Sequence, residues 1–423
     1  MSGMIDYKEA QAIILQHARS FGEERVSLDA AAGRVLAERI LSDRDYPPFN
    51  RATMDGYAIR YTDWEQGVRR FEVVETIFAG ATHSRPIGRG QCYKIMTGAP
   101  VPEGADMVVR REDTEEGSQV MELRPGTGQR PVGGQPSDVS QPTVAGDQPV
   151  RDLRRFLNIA KQGEDLRSSD TVIDRPCLCE PPIMGLLASL GKQEVMVSRL
   201  PGVAILTTGN EIAAVDEPVN GARIRNSNLW LLRSSLKKWS IDNFFHQHVP
   251  DDRSVLQAAL ENALPSDLII LSGGVSAGDA DYVPGVLEAC GVERLFHKIA
   301  IKPGRPVWCG LAPGGGMVFA LPGNPFSCLV GFVLLIQPWL HTCFGLPVPA
   351  PLGLPLQAAK KKNTPLDEFF PVRMSGAPAG LLPVALNGSG DIRMGLEANA
   401  LALHPAESGD LVIGDQVLCY LLG

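Results

Sequence analysis

No two cysteines in the chain are spaced CxxC, and the eight present are scattered. That excludes a thioredoxin-like redox motif and the common zinc-ligand spacings. Cys177 and Cys179 form the only close pair, and a lone CxC reads as reduced thiols before it reads as a metal site. Scattered cysteines suit a reducing compartment better than a disulfide framework. An excess of basic charge is missing too: 40 Lys and Arg stand against 48 Asp and Glu, a net charge of -8. Such a chain is not built for nucleic acid or an anionic membrane, so any anion site must gather its basic residues locally. The N-terminus, MSGMIDYKEAQ, has no apolar signal-peptide core. The longest apolar stretch, Phe326 to Ile336, is shorter than a bilayer requires. The expectation is a cytoplasmic protein without a membrane span. GxxxxGK[ST], HExxH and internal repeats are also absent, which removes the P-loop and zincin chemistries.

What is present is a set of three glycine-rich turns, each after a short apolar strand. VAILTTGNEI carries Thr208, Gly209, Asn210 and Glu211; DLIILSGGVSAGDADY carries Gly273, Gly274, Ser276, Gly278, Asp279 and Asp281; MVFALPGNPFS carries Pro322, Gly323, Asn324 and Pro325. In an open α/β sheet the carboxyl ends of the strands form the ligand crevice. Glycine there lets backbone N–H groups approach an anion, and the following helix presents its positive end. Three such turns predict a site for a large phosphorylated ligand.

At 423 residues the chain has room for roughly three domains. Residues 1–46 and 151–199 read as a discontinuous helical and linker domain. Residues 47–150, with short strands such as FEVVETIF, read as β-rich, and 124–150 as a Pro- and Gly-rich insertion without aromatic residues. Strands and helices alternate over 200–346, which implies a parallel α/β domain. PVWCGLAPGGGMVFAL within it reads as two strands joined by a hairpin turn. Residues 347–423 read as a small β domain. The expected fold class is thus α/β with β-rich accessory domains: a multidomain chain with a parallel three-layer α/β/α core, small β domains and an elongated helical N-terminal domain.

Several charged residues have two readings. Glu211 is either a cation or hydroxyl ligand or an acid in a first helical turn. Asp279 and Asp281 either share a hard cation such as Mg²⁺ with phosphates or cap a helix. Asp251 and Asp252 precede a helix, where capping is the default. Lys298 and Lys302, four apart in HKIAIKPGRPVW, would point the same way on one strand. With Gly304 and Arg305 they form either an oxyanion face or a solvated edge strand. Asn324 and Pro325 suit a helix start as well as an anion site. His246 and His248 alternate on a strand, a weak metal signal.

The turns, taken with PPFNRATMDGYAIR at 47–60, YKIMTGAPVPEGADMVV at 93–109, KPGRP and LPGNP, occur in an order that resembles the molybdopterin molybdenumtransferase family, the type that includes the E domain of gephyrin. The resemblance spans nearly the whole chain. It implies transfer of molybdate to adenylylated molybdopterin with release of AMP, assisted by Mg²⁺. It implies catalytic roles for Asp55, Thr97, Glu211, Asp251, Asp281, Lys298 and Lys302, with Glu211, Asp251 and Asp281 at the metal. Substrate-binding positions would be Asp165, Gly209, Gly273, Gly274, Ser276, Gly278, Asp279, Gly304, Arg305, Pro322, Gly323, Asn324, Pro325 and Ser389. It further implies a homodimer in which Asp55 and Thr97 act across the interface. Molybdopterin adenylyltransferase would be a partner, as would apo-molybdoenzymes or their chaperones. Asn210, Ala160, Leu366 and Pro371 depart from the family pattern, the last two from arginines of R-x-EF-x-R. A molybdopterin adenylyltransferase and a gephyrin-like scaffold are the alternatives.

Overall fold

The structure, a computed structural model, describes residues 4–81, 85–125, 127, 153–275, 282–393 and 396–422. Ser276, Gly278, Asp279 and Asp281 lie outside the described residues, as does nearly all of the 124–150 insertion. The chain forms two compact units, one of Met1–Glu38 with Arg175–Gly423 and one of Arg39–Asp174.

The Arg39–Asp174 unit is built on a mixed six-stranded sheet in the order Met107–Arg110, Gly56–Ile59, Gln91–Ile95, Arg70–Ile77, Val120–Leu123, Thr114–Glu116. Alternate residues serve opposite faces, as strand geometry requires. Tyr57, Ile59 and Met107 pack into one cluster, and Ala58, Ile95 and Val108 into another. At Gly56 a Cβ would lie 1.9 Å from the Val109 carbonyl oxygen, so only glycine lets these two strands pair.

In the other unit, the expected helical N-terminal domain is not what forms. The helices Tyr7–Gln16 and Pro181–Ser189 are present, but the same segments also form a four-stranded antiparallel sheet of Glu23–Ser27, Glu194–Ser198, Val35–Leu36 and Cys177–Leu178. The alternating burial of EVMVS, with Val195 and Val197 inside, is a strand pattern that outweighs helix propensity here.

The α/β domain is a three-layer structure: β1 (Val203–Thr208), α1 (Ser227–Lys237), β2 (Phe245–Val249), α2 (Arg253–Ala263), β3 (Leu268–Ser272), α3 (Val283–Ala289), β4 (Glu293–His297), β5 (Trp308–Leu311), β6 (Met317–Leu321) and α4 (Pro325–Gly331). Sheet order is β2-β1-β3-β6-β5-β4. The first four strands are parallel; β5 runs antiparallel to both of its neighbours, β6 and β4. The core sheet is therefore mixed rather than parallel, because the short Gly-rich turn between β5 and β6 leaves no room for a crossover. β1, β3 and β6 are buried along their whole length, the signature of strands covered on both faces. Ile205, Ile270 and Phe319 face α1 and α4; Leu206, Leu271 and Ala320 face α2 and α3.

The Phe326–Ile336 stretch does not stop where its apolar run does. α4 continues through a π-helical segment, Phe332–Ile336, into Gln337–Cys343. Pro338, near the start of the last piece, needs no backbone donor there. By length and composition alone the resulting Pro325–Cys343 helix could cross a membrane, with mean hydropathy 1.5, yet 78% of its most apolar window is buried inside the protein. Trp339 packs edge-on against Phe21 and Phe319.

The last ~70 residues form a sheet in the order Ile301–Lys302, Asp367–Ser375, Ala400–His404, Gln416–Leu421, Leu352–Pro355. Its first strand comes from the α/β domain. This parallel pairing, Ile301 with Asp367 and Lys302 with Glu368, ties the two domains together.

Candidate active site

The three turns end the neighbouring strands β1, β3 and β6, so they open on one end of the sheet. Gly209, Gly273 and Gly274 all have left-handed backbone, with φ of 135°, 102° and 65°. At Gly273 a Cβ would lie 2.6 Å from the Thr208 hydroxyl and 2.7 Å from its carbonyl oxygen, so the first two turns touch only through glycine. The Thr208 hydroxyl is buried there and has no partner among the described residues.

Asn228 links the second and third turns. Its amide donates to the Ser272 hydroxyl and to the Gly323 carbonyl, each at 2.7 Å. Neighbouring Asn226 caps α1 through Leu229 N–H at 3.1 Å and donates to the Thr207 hydroxyl at 2.8 Å. Neither asparagine was singled out from the sequence. The signal was the pair of asparagines at the start of the Leu-rich helix, one at its cap and one in its first turn.

Glu211 is not in a first helical turn. A two-residue strand, Ile212–Ala213, follows it, so the helix-dipole reading falls away. Its carboxylate folds over Gly209, where a Cβ would sit 2.6 Å from Oε2, and has no hydrogen-bond or ion-pair partner among the described residues. The Asp pair also separates. Asp252 caps α2, accepting from Ser254 and Val255 N–H at 2.8 and 3.0 Å. The Ser254 side chain and then these amides hold its carboxyl below the usual range. Asp251 instead accepts from Asn210 N–H at 3.1 Å, while the Asn210 side-chain oxygen accepts from Asp251 N–H at 3.1 Å. That reciprocal pair fixes the first turn to the loop after β2. Asp252→Ala is therefore expected to lower the unfolding temperature by about 2–4 °C with turnover retained. Asp251→Ala should do the reverse, and thermal melts beside turnover assays of both variants check it.

Glu211 and Asp251 supply hard carboxylate oxygens of the kind Mg²⁺ takes. Among the described residues no group of three or more His, Cys, Asp or Glu gathers as a metal site. His246 and His248 are engaged with Thr207, at 3.4 Å to its hydroxyl and 3.0 Å to its carbonyl oxygen. Burial, then His248, pushes His246 down. They line a second cavity of about 720 Å³ with Asn210, Arg223 and Trp230.

Lys298 and Lys302 do not share one strand. Lys298 follows β4 in left-handed backbone, φ 71°, and Lys302 lies in the separate pair Ile301–Lys302. The positive-φ residue breaks the alternation, so four-residue spacing carries no same-face meaning. Lys302, Gly304 and Arg305 line a cavity of about 1030 Å³ together with Gly274, Pro322, Gly323, Asn324 and Ser389. Pro325 occupies the first turn of α4. Asn324 sits at the cap position, but its side chain does not cap: it donates to the Ser389 hydroxyl at 2.7 Å, while the Ser389 carbonyl accepts from Phe326 N–H at 3.1 Å. The far wall comes from the C-terminal domain and includes Lys360, Leu366, Glu368 and Pro371. Among the described residues the cavity thus holds three basic side chains and one carboxylate, on a chain of net charge -8.

In the Arg39–Asp174 unit, Asp55 accepts from Thr97 N–H and from the Thr97 hydroxyl, both at 2.7 Å. The hydroxyl first and the amide second hold its carboxyl below the usual range, so the contact persists to acid pH. Asp165 is exposed on the same unit, its N–H donating to the Tyr46 carbonyl at 3.0 Å.

Comparison with known proteins follows the same order of segments. Residues 5–191 match the MoeA N-terminal region (domain I and II), and residues 204–342 match a probable molybdopterin binding domain. The chain is 30% identical to a molybdopterin molybdenumtransferase of Staphylococcus aureus, over 98% of this chain and 94% of that protein. Two solved structures of a molybdopterin biosynthesis moeA protein from Pyrococcus horikoshii superpose on it. One has TM-score 0.76 and 28% identity, covering 99% of both chains; the other has 0.79 and 26%, covering 99% of this chain and 100% of that one. A chain matched to such enzymes from end to end, with glycine turns lining an anion-suited cavity, belongs to the molybdopterin molybdenumtransferase family, the transferases of molybdenum cofactor biosynthesis.

Proposed function

We propose that this protein inserts molybdenum from molybdate into adenylylated molybdopterin, with release of AMP and with Mg²⁺ assisting. The observation that carries the reading is the cavity at the ends of β3 and β6, where Lys302 and Arg305 have no ion-pair partner among the described residues. Cleaving a phosphoanhydride and accepting an oxyanion are largely matters of charge stabilisation and positioning. Lys302 and Arg305 bind the oxyanion. The backbone around Gly273, Gly274 and Gly323 approaches the phosphorylated substrate closely. Asn228 and the Asn210–Asp251 pair keep the turns in register. Glu211 and Asp251, with Asp281, would hold Mg²⁺, which supplies Lewis-acid charge neutralisation when bound.

The protein is proposed to be cytoplasmic and homodimeric, with Asp55 and Thr97 serving the partner's cavity. Molybdopterin adenylyltransferase would supply the substrate, and apo-molybdoenzymes or their chaperones would receive the product. Incubation with adenylylated molybdopterin, molybdate and Mg²⁺ tests the reaction: AMP and active cofactor are expected, and a folded protein that releases no AMP would sink it. The shared site has its own test. Asp55→Ala and Lys302→Gln homodimers should both be inactive. Mixing the two subunits should restore about a quarter of wild-type activity, since half of random dimers then carry one intact site. No recovery in verified mixed dimers overturns it.

A further inference from the structure

We propose that Lys360 is a third cationic contact for the oxyanion held in the 1030 Å³ cavity, facing Lys302 and Arg305 from the C-terminal wall. The inference rests on the proposed function, because the anion in question is that reaction's.

Lys360 is not a loose surface lysine. Its side chain is only 18% exposed, and Nζ donates to Glu368 Oε1 at 3.0 Å and to the Lys361 carbonyl at 3.3 Å. It also stands 5.3 Å from the Phe370 ring centroid. Two of its three N–H groups are thereby engaged, and the third remains for a ligand. Glu368 in turn is in register with Lys302 across the parallel pair. Residues in register on paired strands lie side by side on one face. The chain has thus placed one carboxylate next to two lysines, where it orients Lys360 and leaves the described lining of the cavity with net positive charge.

Two positions on that wall that carry no basic side chain strengthen the case. Leu366 and Pro371 line the cavity at the two positions where R-x-EF-x-R would put arginines. Neither can donate to an oxyanion. Lys360 is the basic side chain that this wall retains. A tetrahedral oxyanion bound by Lys302 and Arg305 alone would lie near the Glu368 carboxylate beside Lys302, a repulsive arrangement at low local dielectric. The Lys360 ammonium removes that repulsion.

Two anions share this chemistry: free molybdate and the phosphate monoester of the pterin substrate. Equilibrium dialysis of the full chain with molybdate, and separately with inorganic phosphate, distinguishes them. Lys360→Gln confounds two effects, since it also strips Glu368 of its partner. The deciding variant is therefore Lys360→Gln with Glu368→Gln, which leaves net charge unchanged and removes both members of a paired set. If Lys360 touches the anion, this double variant binds molybdate about tenfold more weakly, while Lys360→Arg stays within about threefold of wild type. A tenfold loss confined to phosphate keeps the contact and assigns it to the monoester. A folded double variant with wild-type affinity for both anions overturns the proposal. Wild-type protein that binds neither anion and releases no AMP overturns the parent reading as well, a result that the variants alone cannot produce.

Discussion

Gly273→Ala is expected to destabilise the protein by roughly 2–5 kcal/mol and to abolish turnover. The figure combines about 1–2 kcal/mol for an L-residue in left-handed backbone with about 1–3 kcal/mol for forcing atoms into a packed site. Gly273 has φ of 102°, and its new methyl would meet backbone and hydroxyl oxygen of Thr208 at 2.7 and 2.6 Å. Neither is the far end of a flexible side chain, so β1 and β3 must move apart. The turn they would displace also receives Gly273 N–H on the Leu321 carbonyl at 3.0 Å, so all three turns are disturbed together. Gly274→Ala is the internal control. Its methyl would press mainly on Val283 Cγ2 at 2.8 Å, which can rotate, and a smaller loss is expected. Urea unfolding of both variants gives the comparison; equal midpoints for Gly273→Ala and wild type would refute the close-approach argument.

Lys302→Gln is expected to reduce turnover by about 100- to 1000-fold, the usual effect of removing one preorganised donor from a site of developing charge. Stability should change little, since Lys302 is exposed and has no ion-pair partner among the described residues. The loss should appear in single-turnover AMP release, and Lys302→Arg should recover part of it. Near-normal release by folded Lys302→Gln would remove this residue from the chemistry. It would also leave Arg305 as the cation of that wall.

Some of this was legible from local composition. The three glycine turns, the β5–β6 hairpin and the strand Arg70–Ile77 follow from neighbours within a few residues, where backbone sterics and period-2 burial act. The roles of adjacent acids were not legible. Asp251 and Asp252 have the same chemistry, and only the extended backbone of Asp252, φ −128° and ψ 125°, decides which one caps the helix. The full length of the long apolar helix was not legible either. The apolar run ends at Ile336, but the π-helical segment Phe332–Ile336 passes the chain into a further helix. The side chain of Asn324 was equally undecided until Ser389 stood beside it.

By itself the amino-acid sequence determined the order of the segments, the turns that admit an anion and the family whose chemistry they suit. The tertiary structure alone decided what surrounds that anion. Lys298 and Lys302 are four residues apart, yet Lys298, with positive φ, falls just after β4 and only Lys302 lies on a strand. Lys302 and Glu368 are far apart in the chain, yet the parallel pairing of Ile301–Lys302 with Asp367–Glu368 makes them neighbours and brings Lys360 to the same cavity. Short-range sterics are written in adjacent residues, whereas the composition of a cavity wall depends on strand register between distant segments, which no local pattern specifies.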